Sequence, residues 1–113
     1  MKENNKLTTT LIARDFELEL TPEEDQGMDE EALFALLADK VAYLIEYRID
    51  FLLSLMYRLD IKEALINQAL SPASVEPANL ALARLILNRQ KQRVFTKQHY
   101  KQDKLEDLGD LEF

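Results

Sequence analysis

The chain has 113 residues, 47% hydrophobic and 31% charged, which suits one globular domain and excludes wholesale disorder. It contains no Cys, so disulfides and thiolate metal sites are excluded and a cytoplasmic setting is expected. The net charge of −7 is unevenly divided: residues 1–83 hold seven Lys/Arg against sixteen Asp/Glu, residues 84–104 hold seven against Asp103 alone, and residues 105–113 hold four acids and no base.

Two Gly and three Pro, set against abundant Leu, Ala, Glu, Lys and Gln, point to helices. The first twenty residues lack a continuous apolar run, so no signal peptide is expected. The most apolar stretch, 41–57, carries Glu46, Arg48 and Asp50 at its middle. Each is costly inside a bilayer, so no membrane span is expected.

In chain order, residues 1–10 are polar and Thr-rich and read as a frayed end. From Asp15 the pattern alternates: Asp15, Glu17 and Glu19 on one side, Phe16, Leu18 and Leu20 on the other. That period of two predicts an extended arm that lays its apolar side on the helices, or a strand that pairs with its copy in a dimer. The N-terminal arm is expected to cover 1–27. Within it, Thr21, Pro22 and Glu24 form a helix-start signal for a single turn over 22–26, interrupted by Gly27. Asp29 offers a second cap, with Glu30 and Glu31 at the positive end of the helix dipole.

A long helix is expected over 29–59. Wound at 100° per residue, Leu33, Leu37, Val41, Leu44, Ile45, Ile49, Phe51, Leu52, Leu55, Met56 and Leu59 share a very wide apolar arc. Such an arc needs at least two packing partners. A straight helix of that length spans about 46 Å, longer than a compact domain of this size is wide. The helix must therefore bend, project or join an oligomer, and a homodimer with this helix at or near the interface is expected. Asp60 and Glu63 repeat the cap-plus-Glu pattern and predict a short helix over 61–70. Pro72 and Pro77 bracket a loop. A last long helix over 77–102 is apolar nearly all round up to Asn88 and polar beyond it, so its first half belongs to the core and its second half leaves it. The mixed acidic tail, 105–113, is a disordered end or a docking segment.

Three groups of residues could carry function. Arg89, Arg93, Lys97 and Lys101 recur every four residues along one side of the last helix, with Tyr100 and Lys104 in the same arc. Like charges at that spacing disfavour the helix by about 0.2–0.5 kcal/mol per pair, so an anion is expected over them. It could be the chain's own acids, an acidic partner protein, or nucleic acid phosphate; the net negative charge weighs against the last. Arg48 falls inside the apolar arc and must find an acid, from Asp60, Glu63, Glu17 or Glu19, at a helix–helix or dimer contact. Tyr43, Glu46, Tyr47, Asp50, Ser54 and Tyr57 form a stripe opposite the arc, and tyrosine suits an interface because it is half apolar with a hydroxyl to satisfy.

Catalytic readings lack parts. There is no Gly-rich phosphate loop, no Cys nucleophile, and a single His, His99, in the polar end of a helix. Glu46 and Asp50 could hold a metal only with partners such as the Glu-x-x-His pairs of di-metal bundles, and none is present, so neither metal nor cofactor is expected. The expected protein is all-α: two long antiparallel helices, a short connecting helix and an extended N-terminal arm. Its expected role is a non-enzymatic interaction or scaffold protein, or, alternatively, a small nucleic-acid-associated protein.

Overall fold

The computed structural model describes the backbone of residues 2–107 and the side chains of residues 6–97. Among the described residues there are six helices and no strand. They are α1 (Lys2–Phe16), α2 (Pro22–Asp25), α3 (Glu30–Tyr47), α4 (Ile49–Arg58), α5 (Glu63–Leu70) and α6 (Ala78–Asp107). The expected acidic tail falls at the end of α6 and beyond, outside the described side chains.

The N-terminus departs from expectation. It is a helix, not an extended arm. Thr8, Ile12 and Phe16, spaced four apart, form its buried stripe, and Thr9 is buried beside them. Two short hydroxyl residues in that stripe hide the helical period from a hydropathy reading. Helix α1 ends with Glu17 in the left-handed region, φ 58. There the Leu18 N–H donates to the Ala13 carbonyl at 3.0 Å, the closing bond of a Schellman turn. Beyond it, α2 has the reciprocal cap expected of its sequence. The Glu24 N–H donates to Thr21 Oγ1 at 3.1 Å, and the Thr21 N–H donates to Glu24 Oε1 at 3.0 Å. Gly27 follows with φ +122, and a Cβ there would stand 3.4 Å from Lys6 Cα, so the turn lies directly against α1.

Asp29 caps α3 as expected, accepting the Ala32 N–H at 2.8 Å. The long helix then breaks. Arg48 has φ −146 and ψ 55 and separates α3 from α4. No Gly or Pro sits at the break, so local chemistry does not announce it. Its effect is to turn both halves of the wide apolar arc toward one core. Leu33, Leu37, Ala38, Val41 and Leu44 are buried on α3, and Leu52, Leu55 and Met56 on α4. Most of that arc is buried within one chain, with α1 as the extra partner, while Ile45, Ile49 and Phe51 stay partly buried.

Asp60 is also corrected. It does not cap α5, whose N-cap is Lys62, with no side-chain cap bond. Instead it sits left-handed, φ 67, and closes α4. The Ile61 N–H donates to the Met56 carbonyl at 3.1 Å and the Asp60 N–H to the Tyr57 carbonyl at 3.0 Å, a second Schellman turn.

Helices α3 and α6 run antiparallel. Glu30 meets Lys91 at 2.8 Å, the Arg84 guanidinium lies 4.8 Å from the Phe34 ring centre, and Asn79 Nδ2 donates to the Ala38 carbonyl at 3.3 Å. Leu82, Ala83, Ile86 and Leu87 of α6 join Ile12, Phe16, Leu37, Val41, Leu44, Leu52 and Met56 in one core. Each large side chain so buried contributes about 1.5–3 kcal/mol. Burial on α6 runs past Asn88, to Gln90 and Val94, so the second half leaves the core later than its hydropathy suggests. The radius of gyration, 15.4 Å, exceeds the roughly 13 Å of a compact chain of about 100 residues, and the molecule measures 49 × 34 × 23 Å. No described helix is long and apolar enough to cross a membrane.

Candidate interaction surface

The basic row on α6 divides by position. Arg89 is half-buried and used internally: its Nε donates to the Leu59 carbonyl at 2.7 Å and its Nη1 to Gln92 Oε1 at 3.4 Å, and Nη2 stands 4.0 Å from Asp60 Oδ2. It thereby satisfies a carbonyl at the end of α4 that no helical N–H can reach. Arg93 and Lys97 are exposed. Among the described residues neither makes an ion pair. The side chains of Lys101, Tyr100 and Lys104 lie outside the described residues. Lys91, off the row, is the cation that the N-terminal acids hold, with its Nζ at 2.8 Å from both Glu30 carboxylate oxygens.

Arg48 is not inside the apolar arc. The break carries its side chain outward, where it stacks over Phe51 at 4.2 Å from the ring centre and stands 3.7 Å from Glu17 Oε1. The acid therefore comes from the N-terminal segment, one of the sources the sequence offers. Tyr43 and Tyr47 lie side by side near the end of α3, with ring centres 5.0 Å apart and planes tilted by 43°. Lys40 Nζ stands 5.4 Å over the Tyr43 ring. Tyr47 is 68% exposed, and Glu46 on α3 and Asp50 at the start of α4 are exposed as well. Tyr57, half exposed on α4, belongs to a separate element beyond the break. The break thus gathers Tyr43, Glu46 and Tyr47 at the end of α3 and divides them from Tyr57.

In comparisons with protein-family models, curated proteins and solved structures, nothing matches this chain. Its role rests on its own surface.

Two further features escaped the sequence. A shallow groove of about 390 Å³ lies between α5 and α6, lined by Leu65, Ala69, Val75, Ala81 and Leu85 and edged by the Glu76–Arg84 ion pair at 2.9 Å. Val75 is fully exposed at its rim. Only the apolar character of the loop 71–77 could have pointed to it. The second is Gln90, fully buried where α1 meets α6, which donates from Nε2 to Asp15 Oδ2 at 3.1 Å while its Oε1 has no partner among the described residues. Its neighbours in sequence are polar, so it reads as surface. Among the described residues no three His, Asp or Glu side chains are gathered to hold a metal.

Proposed function

We propose that this chain is a non-enzymatic interaction or scaffold protein that associates with itself and uses the exposed basic end of α6 to contact an acidic surface. The observation that carries this is the unequal treatment of the cations: Arg89 and Lys91 are held by the chain's own acceptors, whereas Arg93 and Lys97, one turn apart, are presented to solvent. A repulsive pair kept at that spacing is relieved by an anion lying over it. The absence of Cys favours a cytoplasmic setting.

The alternative role, nucleic-acid association, draws on the same pair, since two cations on one helix face can track phosphates. The acidic balance of the rest of the chain opposes it. One experiment separates the two: bind wild type and the Arg93→Glu, Lys97→Glu double variant to an acidic polypeptide and to single-stranded RNA across a salt series. An acidic-surface role predicts polypeptide binding that the double variant loses, with little RNA binding at physiological salt. Tight RNA binding that falls log-linearly with salt would move the assignment to nucleic acid.

A further inference from the structure

Several aromatic rings on α3 and α4 already carry a cation from the same chain: Lys40 on Tyr43 at 5.4 Å, Arg48 on Phe51 at 4.2 Å and Arg84 on Phe34 at 4.8 Å. Tyr47 does not. Tyr43 stacks on it at 5.0 Å, no described cation lies over it, and it is more exposed than Tyr43 or Tyr57. Glu46 precedes it on α3 and Asp50 stands just past the break on α4, both exposed and without an ion pair among the described residues. An exposed ring on an acidic stretch is a receptor for Lys or Arg side chains.

The chain carries the complement. Arg93 and Lys97, exposed cations one turn apart on α6, are opposite in charge to Glu46 and Asp50. Within one molecule the two sets do not meet. The Glu30–Lys91 pair fixes the register of α3 against α6, placing the basic end of α6 beside the start of α3. Tyr47 lies seventeen residues farther along α3 from Glu30, about 26 Å at 1.5 Å per residue, beyond the reach of an Arg or Lys side chain.

We infer that the basic end of α6 in one copy docks on the Tyr47 face of a second copy, setting Arg93 and Lys97 against Glu46, Asp50 and the Tyr47 ring. This contact presupposes the interaction role proposed above and names its acidic surface. The two patches differ, so the association is head-to-tail. After one contact the pair still presents one free basic end and one free Tyr47 face, so assemblies grow as rings or filaments rather than stopping at a two-fold dimer.

Sedimentation of the full chain tests this directly. Wild-type mass at low salt should climb with protein concentration past the dimer, and return toward monomer at about 1 M salt, where screening reaches about 3 Å. The Glu46→Lys, Asp50→Lys variant and the Arg93→Glu, Lys97→Glu variant should each stay monomeric. An equimolar mixture of the two should regain association, because each supplies the patch the other now complements. All four positions are exposed, and helical circular dichroism equal to wild type confirms that each variant folds. A wild type that stays monomeric at every concentration overturns the contact, as does association that survives both variants or a mixture that stays monomeric. A monomeric wild type that still binds an acidic polypeptide through Arg93 and Lys97 overturns the head-to-tail contact alone and leaves the interaction role standing.

Discussion

At the scale of single residues, the basic row is a lesson in position. Arg89 and Arg93 are the same residue type on the same helix face, yet only Arg89 reaches a helix-end carbonyl, the one on Leu59. Arg89→Met keeps much of the stem and removes that hydrogen bond, so urea unfolding should show a loss of about 1–2 kcal/mol. Arg93→Ala should stay within about 0.5 kcal/mol of wild type. The left-handed residues make a second prediction. Glu17 carries a Cβ where glycine is usual, and its ion pair with Arg48 is solvent-exposed and 3.7 Å long. Glu17→Gly should therefore stabilise the fold by about 0.5–1 kcal/mol, the relief of left-handed strain outweighing the added freedom of the unfolded chain. Gly27→Ala should do the reverse, costing about 1–3 kcal/mol, because φ +122 is unfavourable for any Cβ. A thermal or urea melt of each variant reads both signs. Such residues also mark where the sequence was legible. Thr21, Glu24 and Asp29 cap as their side chains dictate, since an N-cap bond is local. Glu17 and Asp60 end helices without the Gly or Asn that would signal it, so Asp60 reads as a start when it is a stop.

At the scale of elements, helix content follows from composition and from the 3.6-residue period, and α2 and the start of α3 fall where their caps place them. Two elements escape. Helix α1 hides because its buried stripe includes Thr8, and Thr9 beside it is also buried. The α3–α4 break hides because packing, not a breaker residue, selects it. Both follow from the wide apolar arc: breaking the helix and recruiting α1 cover most of it within one chain. Phe16→Ala tests whether α1 is a core helix or a peripheral covering. Phe16 is fully buried, so the variant should lose about 3–5 kcal/mol, a large share of the roughly 5–15 kcal/mol typical of a domain. A loss under about 1 kcal/mol would mean that α1 is only loosely applied. Hydrogen exchange should also reveal the break. Arg48 provides no side-chain cap for α4, so the amides of Ile49, Asp50 and Phe51 should exchange well ahead of those of Val41 and Leu44.

At the scale of the whole molecule, surface and not cavity chemistry sets the expected behaviour. The candidate contacts sit at opposite ends of the α3–α6 pair, which suits end-to-end association and not internal neutralisation. The fold buries most of the apolar circumference of 29–59 in the core and leaves Tyr47 and the cations Arg93 and Lys97 outside. The hydrogen bond from Gln90 to Asp15 has a further consequence. It joins residues 75 positions apart, so α1 gains this partner only once α6 is available. Until α6 has emerged, Ile12 and Phe16 lack part of the surface that buries them, and the nascent chain carries an unclosed apolar face. Folding should therefore include a late step in which α1 closes on α6, making it slower than its helix content alone would suggest. Chains truncated before residue 90 should aggregate during expression, whereas chains cut after residue 97 should remain in solution and fold.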